Sequence, residues 1–193
     1  MKDIVIVLAR APRLGTVKRR LAREIGDPAA LRFHRTLLNR IVRLLAADPR
    51  FRTVVAITPD RAHIASRVPV IGQGRGDLGL RMHRACRRFP MRVAVVGCDI
   101  PELSAADVAA AFRALGRADA VFGPAEDGGY YLVALGPRRP ARPFARVRWS
   151  TQHALADTLA NFRGKRIALL RTLRDVDTAA DLRTVGAAWP RHR

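Results

Sequence analysis

Short apolar runs alternate along the chain with stretches in which apolar residues recur every three or four positions. The first pattern predicts buried strands and the second amphipathic helices. Strands are expected at Ile4–Leu8, at Thr53–Thr58, in "VPVIG", in "RVAVVGCD", in "DAVFGP", in "GYYLVAL" and in "RIALL". Asp27-Pro28 opens a long helix, with Asp27 as N-cap and Pro28 in the first turn. Its stripe of Leu31, Leu38, Ile41, Val42 and Leu45 has the spacing of a half-buried helix. Further helices are expected at Leu78–Phe89, from Ser104 (with Asp107 three residues on) to about Leu115, at Thr151–Asn161 and at Thr178–Ala187. This alternation predicts an α/β fold with a mainly parallel sheet covered by helices. There is no internal repeat or low-complexity tract, and the Pro/Arg-rich loop "LGPRRPARPF" is too short to divide domains, so residues 1–193 are expected to form one domain.

Such sheets bind ligands beyond the carboxyl ends of their strands, which directs attention to the residues that follow each strand. The first strand empties into "LARAPRLGTVKRRLA", where Arg10, Arg13, Lys18, Arg19 and Arg20 surround Pro12 and Gly15. The loop has neither the P-loop nor the dinucleotide fingerprint. Gly15 still permits close approach of backbone to a ligand, and Lys18 stands at the start of a short helix, where amides and an ammonium can share a phosphate. After the fourth strand, "GCDIP" puts Asp99 at the ligand edge, a position suited to holding Mg²⁺ or Mn²⁺ against a diphosphate. A helix cap or turn is the structural alternative for Asp99. "GPAEDGGYYL" carries an Asp-Gly hairpin signal, then Tyr130 and Tyr131, which must face opposite sides of a strand, so that one can pack in the core and the other line a pocket. "DVDT" places Asp175 and Asp177 on the same side of an extended segment, a source for a second metal carboxylate. The residues of "RWST" can cap a following helix. No Ser/His/Asp order or HExxH motif is present, and His34, His63, His83, His153 and His192 are scattered, as surface or helix residues would be.

Charge changes this picture less than its size suggests. The chain has 36 Lys and Arg against 16 Asp and Glu, a net charge of +20. Such a balance favours polyanionic partners. The charges are spread over the whole length, however, and nearly all are Arg, as a GC-rich genome writes on any solvated surface. Against that background Lys18 stands out, since Lys2 and Lys165 are the only other lysines. No apolar run approaches the ~18 residues of a membrane span. The N-terminus does not read as a signal peptide, and Cys86 and Cys98 fit no metal spacing, so reduced thiols in a cytoplasmic protein are expected.

Taken in order, "LARAPRLGTVKRRLA", "GRGDLGLRM", "GCDIP", "GPAEDGGYYL", "RWST" and "DVDT" resemble the bacterial family of radical-SAM/selenodomain-associated transferase 1 proteins, over about Ile4 to Leu182. The resemblance implies a GT-A-like nucleotide-diphospho-sugar transferase fold, a three-layer α/β/α sandwich. It is shared more distantly with molybdenum-cofactor and 2-phospholactate guanylyltransferases. By position it implies that Ala9, Arg10, Ala11, Gly15 and Lys18 wrap the nucleotide's phosphates. Gly76, Asp77, Leu78 and Gly79 would lie beside base and ribose. Asp99 would be the metal carboxylate and Asp177 a second ligand for Mg²⁺ or Mn²⁺. Asp127, Gly128, Gly129, Tyr130, Trp149, Ser150 and Thr151 would shape the acceptor side, with Asp99, Asp127 and Lys18 as the catalytic set. The chain departs from the family pattern at Arg10, usually Lys, at Arg19, usually Thr, and at Cys98, usually Ser; Arg for Lys keeps the charge but alters its geometry.

Two enzymatic readings follow from the resemblance: a glycosyltransferase that uses a nucleotide sugar, or a nucleotidyltransferase that joins an NTP to a small phosphorylated acceptor and releases pyrophosphate. A basic nucleic-acid-binding domain is the third reading, weakened by the scarcity of aromatics interleaved with basic residues. The expected partners are therefore a nucleotide sugar or NTP and a small-molecule acceptor, with no specific nucleic acid and no membrane span.

Overall fold

The computed structural model describes residues 2–185. The strands are β1 (Asp3–Arg10), β2 (Phe51–Thr58), β3 (Val70–Gly72), β4 (Val93–Gly97), β5 (Ala120–Pro124), β6 (Tyr130–Leu135) and β7 (Ile167–Leu169). The helices are α1 (Arg19–Ile25), α2 (Asp27–Ala46), α3 (Leu78–Arg87), α4 (Ala105–Ala114), α5 (Ala154–Ala160) and α6 (Ala179–Val185). One 7-stranded sheet has the order β3-β2-β1-β4-β6-β5-β7. Every pairing is parallel except those of β6, which runs against both β4 and β5. The carboxyl ends of β1, β4, β5 and β7 and the amino end of β6 therefore share one edge.

Alternation along the strands makes the three layers. On β1, Val5, Val7 and Ala9 join α2, α4 and α6 in one core, while Ile4, Ile6 and Leu8 meet α3 and α5 in the other. β4 divides in the same way, Ala94 and Val96 against Val93 and Val95. Burial on both faces explains why these strands read as continuous apolar runs.

Several boundaries differ from the sequence reading. β1 extends to Arg10 because Ala9 and Arg10 pair with Ile57 and Thr58 of β2, so the loop begins two residues later than expected. Asp27 is the first residue of α2, and Gly26 is its N-cap; Gly26 also closes α1, with a φ of 83° that suits glycine. Asp27 keeps a favourable place in the first turn of the helix dipole. The helix expected from Thr151 starts at Ala154, because Thr151 is held in a turn: its hydroxyl donates to the Arg148 carbonyl and accepts from the His153 amide. The last two residues expected in the closing helix, and His192, lie outside the described residues. At α4, Ser104 and Asp107 form the expected capping box, and Asp107 also receives a two-pronged bond from Arg171 at 2.7 and 2.9 Å. This anchors the segment after β7 to the start of α4. Among the described residues no helix is long and apolar enough to cross a membrane.

A candidate active site at the carboxyl edge of the sheet

Lys18 organises the centre of this edge. It is the N-cap of α1 and lies in the left-handed region, φ 47° and ψ 47°. From there its ammonium reaches Asp99 Oδ1 and Asp177 Oδ1, each at 3.0 Å, and donates to the Val176 carbonyl at 2.7 Å. The Lys18 side chain is 5% exposed, whereas those of Asp99 and Asp177 are 46% and 39% exposed. Burial pulls the Lys18 pKa down, but the charges of Asp99 and Asp177 outweigh it and the net shift is upward. Arg20 lies 3.5 Å from the other oxygen of Asp177. The segment carrying Asp177 is tied to β4 by the Val176 amide, which donates to the Asp99 carbonyl at 3.1 Å.

The two carboxylates assigned to a metal thus converge on one positive charge, and each keeps exposed surface. Hard oxygen donors gathered around a single cation suit Mg²⁺ or Mn²⁺, so the residues fit the ion that the resemblance implies. Below Asp99, the ligand atoms of His34, Cys98 and Asp99 lie within 4.8 Å of one another. His34 Nε2 donates to the Arg10 carbonyl at 2.9 Å, and its Nδ1 is buried without a partner. Burial, then the neighbouring Asp99 charge, pushes the Cys98 thiol far up, which keeps it protonated.

Beside this centre lies a cavity of about 290 Å³. Leu8, Leu78, Met82 and Val95 form its apolar side, Tyr130, Tyr131 and Trp149 its aromatic side, and Asp99, Asp127 and Asp175 its acidic side. Gly129, Ser150 and Thr151 also line it. The tyrosines do face opposite layers, yet both touch the cavity: Tyr130 sits edge-on to Phe122 and Trp149, and the Tyr131 hydroxyl donates to the Arg171 carbonyl. Burial, followed by the charges of Asp127 and Asp177, raises Asp175 to about 6.

The hairpin between β5 and β6 brings Asp127 to the cavity. Asp127 Oδ1 accepts from the Gly129 amide at 2.8 Å, and Gly128 has a φ of 84°. A Cβ on Gly128 would strike the backbone of Gln152, so the hairpin and the Ser150–Thr151 turn fit only through this glycine. Gly128→Ala is expected to cost ~2–4 kcal/mol through strain and displacement of that turn, seen as a lowered melting temperature; an unchanged melting curve would refute the contact.

The remaining residues assigned from sequence are placed as follows. Ala9 and Ala11 are buried; the Ala9 carbonyl accepts from Gln73 and the Ala11 amide donates to Thr58. Arg10 is exposed and donates to the Thr16 carbonyl at 3.3 Å, across a loop in which Gly15 has φ 71°. Asp77 is the N-cap of α3, accepting from the Leu80 amide, and the Gly76 carbonyl accepts from Arg81. Gly79 is buried where α3 meets Phe144 and Trp149, and a Cβ there would strike the Phe144 carbonyl. The structure thus brings Lys18, Asp99 and Asp177 into contact, and Asp127, Trp149 and Leu78 onto one cavity. Ala9, Ala11 and Gly79 are tied into the packing around them.

Sequence reasoning passed over Gln73 and the place of His34. Gln73 is buried and its amide bridges the carbonyls of Ala9 and Ala56, fastening the ends of β1 and β2. His34 continues the buried face of Ala30, Leu37 and Ile41, a spacing visible in the sequence.

The doubly covered seven-stranded sheet with its one reversed strand is an α/β fold that this chain shares with solved nucleotide-using transferases. The chain belongs to the DUF2064 family, described as an uncharacterized protein conserved in bacteria, whose profile matches residues 38–151. No curated protein matches it. The structure of a Desulfovibrio desulfuricans G20 protein, provisionally designated a nucleotide-diphospho-sugar transferase, is similar at 26% identity and TM-score 0.88, covering 96% of this chain and 87% of that one. CMP:2-keto-3-deoxy-manno-octonic acid synthetase, solved with CTP, shares the fold at 13% identity and TM-score 0.61, covering 97% and 98% of the two chains. Rv0371c from Mycobacterium tuberculosis H37Rv, solved with manganese, shares it at 16% identity and TM-score 0.56, covering 98% and 100%.

Proposed function

We propose that this protein is a single-domain, metal-dependent transferase acting on a nucleotide-activated donor, and that the donor is a nucleotide sugar. The observation that carries this reading is the convergence of Asp99 and Asp177 on one cationic point beside a cavity lined by Asp127, Tyr130 and Trp149. The designation of the Desulfovibrio protein, the CTP in the synthetase and the manganese in Rv0371c support it.

In this reading Asp99 and Asp177 would hold Mg²⁺ or Mn²⁺, and a bound ion would supply charge neutralisation for the leaving diphosphate. The Arg10–Lys18 loop surrounds the phosphates, with Lys18 moving between its carboxylates and the donor. The segment Gly76–Gly79 borders base and ribose. The acceptor's hydroxyl or amine forms the new bond to the sugar carbon while the carbon–phosphate oxygen bond breaks. The nucleoside diphosphate leaves with that electron pair, and the acceptor proton passes to the carboxylate of Asp127. Positioning and charge placement supply most of the rate.

A melting-temperature screen of NTPs and nucleotide sugars tests this. With Mn²⁺ and ligand at a hundredfold excess over Kd, stabilisation of ~2.7 kcal/mol is expected, an upward shift of roughly 5–10 °C. The shift should vanish without metal, and no shift with any nucleotide would overturn the proposal. Random RNA should bind weakly and fall off steeply with salt; nanomolar, sequence-selective binding would favour a nucleic-acid role instead.

A further inference from the structure

We infer that the second substrate is an uncharged or cationic hydroxyl or amino compound with an apolar or aromatic body, and not a phosphorylated one. This rests on the reading above, in which Asp127 takes the acceptor's proton, and it seats the acceptor in the cavity that Asp127 shares with Tyr130, Trp149 and Asp175.

The argument starts from a reversal of charge. The chain carries 36 basic against 16 acidic side chains, yet the described residues that line this cavity include Asp99, Asp127 and Asp175 and not one Lys, Arg or His. Cations on the segments around it are held elsewhere. Arg174 binds Glu126 at 2.7 Å, Arg148 binds Asp157 at 2.8 Å and Arg171 binds Asp107 at 2.7 Å, while Lys18 meets the cavity only at its Asp99 end, where it also holds Asp177. His153, next to the Ser150–Thr151 turn, is outside the lining.

A phosphate dianion placed between Asp127 and Asp175, away from Asp99 and the cation it faces, would meet like charge and no cationic side chain. Like-charge juxtaposition of this kind is how sites reject the wrong ligand. An ammonium would instead be drawn to the carboxylates and to the faces of Tyr130 and Trp149, whose rings meet edge-on with centroids 6.2 Å apart. A neutral hydroxyl can donate to Asp127 Oδ2, since Oδ1 already accepts from Gly129. The apolar remainder of such a compound packs on Leu8, Met82 and Val95.

Trp149 supplies the readout. Only Trp149 and Trp189 are tryptophans in the chain, so Trp189→Phe leaves one indole, at the cavity. The full-length variant would be titrated, with Mn²⁺ and nucleotide present, with phenethylamine, phenethyl alcohol and phenethyl phosphate. Saturable changes in Trp149 emission are expected with the amine and the alcohol, and binding of the phosphate weaker by on the order of a hundredfold. Adding Asp127→Asn and Asp175→Asn should shrink that preference about tenfold, or more. Equal or tighter binding of the phosphate, or no saturable response to any of the three, overturns the inference. Mn²⁺-dependent stabilisation by nucleotides on the same variant reads the donor side separately. A phosphate-preferring cavity in a protein that still binds nucleotide therefore refutes this inference and leaves the donor reading standing.

Discussion

Asp99→Asn is expected to yield a folded protein that has lost metal-dependent nucleotide binding and about three to four decades of transfer rate, for a loss of ~4–5 kcal/mol of transition-state stabilisation. The substitution is nearly isosteric and removes one negative charge. The structure adds a cost visible without any ligand, because Lys18 loses one of its two carboxylates. Asp177 and the Val176 carbonyl remain as partners, and Asp99 is half exposed, so the loss of stability should be modest, ~1 kcal/mol. Calorimetric titration with nucleotide, with and without Mn²⁺, beside a melting curve, separates the two effects. Unchanged Mn²⁺-dependent binding by the folded variant would reduce Asp99 to a turn residue.

Lys18→Met should produce a large loss of stability at the centre of the site. It leaves two carboxylates facing each other without their shared cation, and the Val176 carbonyl without its donor. The expected cost at neutral pH is ~2–3 kcal/mol, at the low end for a broken buried pair because both carboxylates are partly exposed. That corresponds to a fall of roughly 5–10 °C in melting temperature. The pH dependence has a definite sign. The folded-state pKa of Lys18 is raised above 10.5, so its contribution is complete below that value and is lost as pH rises through the higher, folded-state pKa. The parent should therefore lose stability in strong alkali by a component that the variant lacks. Mn²⁺ alone should restore the variant more than it stabilises the parent, because the ion takes up the place of the missing ammonium. Melting curves across pH and Mn²⁺ concentration test both points; identical behaviour of the two proteins would show that Lys18 is not the balancing charge.

Much of this arrangement could be read from the chain. Asp99 followed from one rule, that ligands sit beyond the strand ends, and the Asp-Gly signal at Asp127 marked the turn that reverses β6. Lys18 drew attention as a lysine among arginines. Asp177 stands out separately as a metal carboxylate, but its contact with Lys18 joins residues 159 positions apart and leaves no local pattern. Local spacing showed Asp175 and Asp177 sharing a side, but not that Asp175 would reach the cavity while Asp177 met Lys18; that split depends on the bridge between Ala125 and Leu173 and on the Arg171–Asp107 anchor. The β1 boundary was misjudged for a similar reason. Ala9 and Arg10 become strand residues through pairing with β2, a partner more than forty residues away in the chain.

The single reversed strand has a consequence for how such a protein can change. Because β6 begins where β5 ends, the chain lays down Asp127, Gly129 and Tyr130 in one hairpin and returns with Trp149, Ser150 and Thr151 soon after. One wall of the cavity is thus encoded by the contiguous stretch 127–151, while Lys18, Asp99 and Asp177 come from distant parts of the chain. Exchange of that stretch between relatives, as a cassette, would swap one half of the pocket and leave the charged centre intact.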